Sequence, residues 1–293
     1  MSPPEAWTIG RLLTWTTDYL KQHGSESPRL DAEVLLAHAR GCSRIELYTA
    51  FESVVDDAVR ATFRDLVRRR AASEPVAYLV GYREFYSLPF YVTPAVLIPR
   101  PETEHLVVAA LERIQHHPPG QRPFEIVDVG TGSGAIAVAL AKHAPACRVT
   151  ATDASAAALA VARRNVERHA VSDRVALVES DLLSGLPAAQ TFDFVVSNPP
   201  YVSEAEWARL PATVKDHEPR LALVGGANGC AVIERLVSQA VPRLTPGGWL
   251  VLEISPQIEG AVRQIVTSAG GFDAVQTSKD LAGLARVICA RRT

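Results

Sequence analysis

A run of glycines between an apolar strand and an apolar helix constrains this chain more than any other feature. Residues 126–135 read Ile-Val-Asp-Val-Gly-Thr-Gly-Ser-Gly-Ala. The first four form a short β-type run, and Ala135 opens a helical pattern that continues to 143. Small residues at Gly130, Thr131, Gly132, Ser133 and Gly134 let the backbone pass close to a ligand, and the N-terminus of the next helix offers unpaired N–H groups. Alone, Gly-x-Gly-x-Gly is a modest signal. The nicotinamide fingerprint needs its third glycine where Ala135 stands, and no lysine follows as a phosphate-binding loop requires. The rest of the chain alternates. Strands are expected at 124–129, 148–152, 175–179, 192–197 and 248–254. Helices are expected at 103–114, 135–143, 155–169, 232–241 and 258–269, and two closing strands at 272–277 and 285–290. This order predicts a doubly wound α/β sheet that binds ligands at the carboxyl ends of its strands.

Two acids stand where such a site needs them. Asp153 ends the second strand, about 20 residues after the glycines, where a carboxylate can accept hydrogen bonds from both hydroxyls of a ribose. The competing reading is a helix N-cap, supplied by Asp153 or Ser155. Asp181 ends the third strand and can sit beside an adenine, with Leu182 offering a backbone N–H and an apolar face. Glycine loop, ribose acid and adenine-edge acid on three successive strands resemble the S-adenosylmethionine-binding half of the Rossmann-like methyltransferases. The resemblance implies that cofactor.

The fourth strand runs directly into Asn198-Pro199-Pro200-Tyr201. Two prolines cannot pair in a sheet, so the chain leaves as a stiff loop. Stiffness fixes the Asn198 amide and the Pro199 carbonyl at the carboxyl edge, where both can accept hydrogen bonds from one –NH₂ group. Tyr201 can cover the flat face of whatever carries that group. A planar nitrogen is a poor nucleophile because its lone pair is delocalised. Two in-plane acceptors hold its N–H bonds and favour the pyramidal form as a methyl group arrives, and in-line positioning supplies most of the rest. No metal is needed. The competing reading of the tetrapeptide is a proline-stiffened turn.

The N-terminal part reads as helices. Thr8 N-caps a helix carrying Ile9, Leu12, Leu13, Tyr19 and Leu20. A second spans 30–39 with Gly41 as its stop, and a third spans 56–72. The third buries Val59, Phe63, Leu66 and Val67 and turns Arg60, Arg64, Arg68, Arg69 and Arg70 outward. That arginine run is either a solvated face or a contact surface for an acidic or nucleic-acid-bearing partner. Residues 76–98, rich in aromatic and β-branched side chains with turn signals at Gly81 and Pro89, predict a strand pair. The expected division is a helical substrate-recognition domain at 1–75, a connecting β-hairpin at 76–98 and the methyltransferase domain at 99–293. His116-His117-Pro118-Pro119-Gly120 is the expected loop before the sheet.

Composition narrows the classes. The 293 residues are 47% hydrophobic and 21% charged, with a net charge of −2. Such a chain can bury a core without disulfides or metals, and it carries no overall basic field to hold a nucleic-acid backbone. Cys42, Cys147, Cys230 and Cys289 are scattered, which speaks against a disulfide framework or a zinc site. Neither a secretory leader nor an apolar run of membrane-spanning length is legible, so a cytoplasmic location without membrane partners is expected.

The tetrapeptide resembles that of methyltransferases acting on planar nitrogen. Its flanks narrow the likeness: Glu74-Pro75-Val76-Ala77-Tyr78, Glu84-Phe85-Tyr86, Ile98-Pro99-Arg100-Pro101-Glu102-Thr103-Glu104, Leu30-Asp31-Ala32-Glu33 and Glu218-Pro219-Arg220-Leu221-Ala222-Leu223. Together they are similar to the bacterial peptide chain release factor glutamine methyltransferase family (HemK/PrmC), over nearly the whole chain. The resemblance implies methylation of the glutamine in the Gly-Gly-Gln loop of class 1 peptide chain release factors. It maps cofactor contacts onto Gly130 to Gly134, Asp153, Asp181, Leu182 and Asn198, and the glutamine pocket onto Asn198 to Tyr201. Spacing assigns no chemical role to Arg100 or Glu102. Two positions depart from the pattern: Ser255 stands where a glycine is expected, and Leu182 where some relatives carry an aromatic residue. A glutamine methyltransferase of a ribosomal protein is the nearest alternative, although Pro101-Glu102 differs from the Ser-Pro resembling that enzyme. An adenine amino-methyltransferase of nucleic acid would need a base-flipping pocket and a basic groove, so no direct nucleic-acid substrate is expected.

Overall fold

A computed structural model describes residues 6–116 and 122–293. The expected loop at 116–120 therefore falls, beyond His116, outside the described residues. Backbone packing separates two units: residues 1–81 with 211–217, and residues 82–210 with 218–293.

The first unit is helical. It contains α1 (Ile9–Gln22), α2 (Pro28–Arg40), α3 (Arg44–Thr49), α4 (Asp57–Ala71) and α5 (Val76–Val80). Their boundaries follow local chemistry. The Thr8 hydroxyl caps α1 by accepting the Arg11 N–H, Pro28 starts α2, and Gly41 ends it at φ 67°. Leu13, Leu20, Leu35, Leu36, Phe63, Leu66 and Leu79 share one apolar core. Helix α5 corrects the expectation of a strand from 76. Its β-branched and aromatic residues favour strand locally, but Pro75 sets the helix start, Gly81 ends it at φ 77°, and Leu79 and Val80 gain burial in the helical core. The arginine run of α4 is mostly neutralised. Arg60 pairs with Asp57, Arg68 with Asp65, Arg69 with Glu74 and Arg70 with Asp31. That pattern favours the solvated-face reading over a free basic patch.

The second unit begins with a hairpin, β1 (Tyr82–Phe85) and β2 (Leu88–Tyr91), shorter than the expected strand pair. There follow α6 (Glu104–His116), β3 (Phe124–Val129), α7 (Ala135–His143), β4 (Cys147–Asp153), α8 (Ala156–Arg168), β5 (Val175–Glu179) and β6 (Phe192–Ser197). The chain continues through α9 (Glu204–Trp207), α10 (Ala212–Lys215, counted with the first unit), α11 (Ala231–Ala240), β7 (Leu244–Glu253), α12 (Glu259–Ser268), β8 (Phe272–Lys279) and β9 (Ala285–Arg292). The seven-stranded sheet has the order β5-β4-β3-β6-β7-β9-β8. Strands β3 to β7 are parallel, and β8 and β9 run antiparallel. Strand β6 is buried along its whole length, as a parallel strand covered on both faces must be. Leu106 and Ala110 of α6 and Val138 of α7 pack with Phe194 in one core cluster. Ile233 and Leu236 of α11 and Val262 of α12 pack with Val195 in another.

The sheet order decides where a ligand can sit. From β3 the chain builds outward through β4 to β5, then returns to place β6 on the other side of β3. The connections leave β3 and β6 in opposite directions, which opens a crevice at their carboxyl ends. The glycine loop follows β3 and the tetrapeptide follows β6, so the order of strands alone makes them neighbours.

Candidate active site

The glycine loop is built to expose backbone. Gly130 and Gly132 lie at φ 73° and 55° with open space where a Cβ would stand. Any side chain there would be strained and would fill the crevice. Beneath the loop, the fully buried Asp128 carboxyl accepts from the Thr131 hydroxyl at 2.6 Å and from Ala137 N–H at 3.2 Å, tying loop to helix. Burial pushes that carboxyl up to about 7. Gly134 N-caps α7 at φ 80°, where a Cβ would come 3.4 Å from Ala162.

Asp153 ends β4 with both oxygens engaged by backbone. Its Oδ2 accepts Gly132 N–H at 2.8 Å and its Oδ1 accepts Ser155 N–H at 2.9 Å. The Ser155 hydroxyl makes the α8 cap, accepting from Ala158 N–H, so Asp153 is not spent on capping that helix. Burial holds its carboxyl above the usual range. Asp181, beyond β5, pairs with Arg235 of α11, both side chains being largely exposed. Leu182 holds φ 54°, a conformation uncommon for a branched side chain, which turns the backbone at the cleft wall.

One cleft gathers most of these groups. Gly130, Thr131, Gly132, Ser133, Asp153, Asp181, Leu182, Asn198 and Pro200 line it, together with Val96, Leu97, Arg100 and Thr103. Gly134, Pro199 and Tyr201 do not line it. Pro199 is buried. Tyr201 turns its hydroxyl to the Glu253 carboxylate, donating to Oε1 at 3.3 Å. Burial first, and then Glu253, hold that phenol above its ordinary range.

Several participants were not legible from spacing. The Asn198 amide donates through Nδ2 to the Thr103 hydroxyl at 3.1 Å, and its Oδ1 accepts no hydrogen bond among the described residues. The orientation of the amide therefore follows from Thr103. Arg100, without a role at the level of spacing, pairs with the buried Glu218, which also accepts Ile98 N–H at 3.1 Å. One carboxylate thus fastens the 98–100 wall of the cleft. A second structural support is the glycine cluster after the tetrapeptide. A Cβ on Gly225 would stand 2.4 Å from the Pro200 carbonyl, and one on Gly229 would stand 2.3 Å from the Tyr201 carbonyl. The run Gly225-Gly226-Ala227-Asn228-Gly229 was the available signal. Nothing local in that run shows which backbone it must approach.

The chemistry of this arrangement is positional. The crevice offers a carboxylate at Asp153, exposed backbone for close approach, and the Asn198 amide, whose oxygen accepts no hydrogen bond among the described residues.

Comparison with known proteins gives a consistent answer. Residues 11–81 match the PrmC N-terminal domain model, and residues 109–214 match the methyltransferase small domain model. The release factor glutamine methyltransferase of Rhodopirellula baltica is 52% identical over 98% of this chain and 97% of its own length. That of Geobacter sulfurreducens is 42% identical over 98% of each. Among solved structures, a Thermus thermophilus 16S rRNA N2 methyltransferase in complex with AdoMet and guanosine superposes with a TM-score of 0.54. It is 23% identical, and the match covers 72% of this chain and 50% of that one. The last likeness concerns the fold alone. The full-length matches at high identity, joined to a matched N-terminal domain, go further: this chain belongs to the release factor glutamine methyltransferase family.

Proposed function

We propose that this chain transfers the methyl group of S-adenosylmethionine to the side-chain amide nitrogen of the glutamine in the Gly-Gly-Gln motif of class 1 peptide chain release factors, modulating translation termination. The observation that carries the reading is the Asn198 amide. It closes β6 at the switch crevice, its nitrogen is committed to Thr103, and its oxygen is left to accept. Relatives named for release factor glutamine support the substrate, and they do not favour the ribosomal-protein or nucleic-acid alternatives.

The cleft suits the cofactor on its own terms. Gly130 and Gly132 present a wall without side chains. Asp153 keeps a second lone pair on each oxygen after its backbone bonds, matching a pair of ribose hydroxyls. Leu182 supplies apolar surface, and Asp181 stands at the rim with Arg235. A neighbour of the same fold was solved with AdoMet. S-Adenosylmethionine, when bound, supplies a methyl group already activated on a sulfonium, so the protein's task is placement. Asn198 Oδ1 accepts one N–H bond of the glutamine –NH₂, and the Pro199 carbonyl accepts the other once the substrate reaches past the cleft wall that Asn198 and Pro200 form. They hold its plane and draw its nitrogen toward the pyramidal form that a fourth bond requires. Pro199 and Pro200 keep both acceptors fixed, so little reorganisation is needed during the transfer. Tyr201, the last residue of the tetrapeptide, is anchored by its hydroxyl's bond to Glu253.

The helical unit carries none of these groups, and we assign it to recognition of the release factor, in the cytoplasm where translation occurs. No helix among the described residues is long and apolar enough to cross a membrane.

The test separates chemistry from binding. Asn198→Ala is expected to lower turnover of a Gly-Gly-Gln substrate by about 10²–10³ while leaving cofactor affinity close to that of the parent enzyme, since one preorganised acceptor at the reacting atom is lost. Near-normal turnover would reduce the tetrapeptide to a structural turn and sink the reading.

A further inference from the structure

The groups so far placed in the cleft account for only part of S-adenosylmethionine. Asp153 and the glycine loop suit the ribose, Asp181 and Leu182 suit the adenine, and Asn198 stands where the methyl group is delivered. The amino-acid tail of the cofactor leaves the sulfonium on the side away from the ribose, so it belongs at the tetrapeptide end. That tail carries a carboxylate. Much of the wall there is apolar, with Val96, Leu97, Pro99 and Pro200 lining it. A carboxylate that leaves water against such a wall needs donors or a cation.

Two positively charged side chains line the cleft among the described residues, Arg235 and Arg100. Arg235 belongs to the adenine end, where it pairs with Asp181. Arg100 belongs to the other end, and two hydrogen bonds place it there. Its carbonyl accepts the Thr103 N–H at 3.1 Å, closing the single 3-10 turn Pro101–Thr103. The Thr103 hydroxyl in turn accepts from Asn198 Nδ2 at 3.1 Å. One turn of chain thus connects Arg100 to the Asn198 amide.

The Arg100 side chain is held without being used up. Nη2 donates to Glu218 Oε1 at 2.5 Å, and Glu218 Oε2 accepts the Ile98 N–H at 3.1 Å. The Glu218 side chain is 2% exposed, whereas that of Arg100 keeps 32% of its surface open in the wall of the cleft. A guanidinium carries five N–H donors in one plane. Glu218 is the only partner of this one among the described residues, so most of its donors remain for a second anion. A buried carboxylate that fixes the plane of an arginine lowers the entropy lost when the arginine binds that anion.

We propose that Arg100 binds the carboxylate of the cofactor's amino-acid tail and that Glu218 holds it in position to do so. This rests on the reading of the cleft as the S-adenosylmethionine site and deepens it, because it fixes which end of the cleft takes the tail. Anchoring the tail on one side of the sulfonium and the ribose on the other also limits how far the methyl group can stray from the line of attack.

Calorimetry on the full-length enzyme tests the assignment with two ligands. One is S-adenosylmethionine, and the other is its decarboxylated form, which keeps the sulfonium and the amine and lacks only the carboxylate. The parent enzyme is expected to bind the decarboxylated form roughly 10- to 100-fold more weakly, the worth of charge-assisted hydrogen bonds to one carboxylate. Arg100→Gln is expected to weaken S-adenosylmethionine by the same factor and to leave the decarboxylated form within about threefold of the parent value, so that the preference disappears. Arg100→Lys keeps the charge without the planar fork and is expected to retain part of the preference. If the parent enzyme binds both ligands equally, the assignment is overturned; this comparison needs no variant and stands even if Arg100→Gln does not fold. If Arg100→Gln weakens both ligands by one factor, or keeps the full preference, Arg100 is only a clamp on the cleft wall and the assignment is again overturned. Asp153→Ala reports on the underlying reading separately: parental affinity for S-adenosylmethionine in that variant would mean that the cleft is not the cofactor site, and the role of Arg100 would fall with it.

Discussion

Asp153→Ala removes the group on which the cofactor reading depends most, and the structure sets the size of the effect. Oδ2 holds Gly132 N–H at 2.8 Å and Oδ1 holds Ser155 N–H at 2.9 Å. Each oxygen keeps one lone pair for a ribose hydroxyl. Charge-assisted bonds of this kind are worth about 1.5–3 kcal/mol in all, so their loss is expected to weaken S-adenosylmethionine binding roughly 10- to 150-fold. A second effect appears without cofactor. Two backbone N–H groups lose their acceptor at the base of the glycine loop, so the melting temperature of the free enzyme is expected to fall by a few degrees. Asp153→Asn tests the same point at constant shape. Its amide offers one acceptor and one donor, so either Gly132 N–H or Ser155 N–H must face an –NH₂ group, and affinity is expected to fall almost as far. Calorimetry reads the binding and thermal melting reads the loop. A folded Asp153→Ala enzyme with parental affinity would refute the ribose assignment.

Other positions give sharper single outcomes. Gly225→Ala forces a Cβ to within 2.4 Å of the Pro200 carbonyl. It is expected to cost about 1–3 kcal/mol in urea denaturation and to lower turnover by shifting the tetrapeptide; unchanged stability would show that the loop has slack. Arg100→Ala leaves the buried Glu218 carboxylate without its partner and is expected to destabilise the enzyme by about 1–3 kcal/mol, whereas Glu218→Gln with Arg100 intact should cost less. Asp128 titrates at about 7 in the folded state because burial disfavours its charge, so its contribution is present at low pH and lost as pH rises from the unfolded carboxyl value through 7. Asp128→Asn is therefore expected to flatten the fall in urea midpoint between pH 5 and pH 8; an identical slope in the variant would place that titration elsewhere.

Much of the catalytic unit was readable because each signal was local. The glycine loop, Asp153, Asp181 and the tetrapeptide each follow a strand whose apolar run announces it, and strand order then gathers them. The recognition of the wider family rested on separate segments from Leu30 to Leu223 rather than on one motif. What escaped was non-local. Thr103 and Asn198 stand 95 positions apart in sequence yet share a hydrogen bond, and Arg100 finds Glu218 from 118 positions away. Neither pairing leaves a periodic trace. Helix α5 was misread because its residues favour strand locally while the helical core rewards their burial. Helix α3 escaped because six residues are too few to show a helical period, although Ser43 and Glu46 form the capping box that marks its start. Tyr201 was expected to face the substrate, yet its hydroxyl is directed to Glu253. A motif names the residues at a site without saying which way each one turns.

The measurement closest to the central claim is transfer of a tritiated methyl group from S-adenosylmethionine, run in parallel on purified class 1 release factor, on ribosomal proteins and on DNA. The label is expected in the release factor alone and on its Gly-Gly-Gln glutamine, and it should vanish when that glutamine is replaced by alanine. Label in a ribosomal protein or in DNA with an unlabelled release factor would contradict the account.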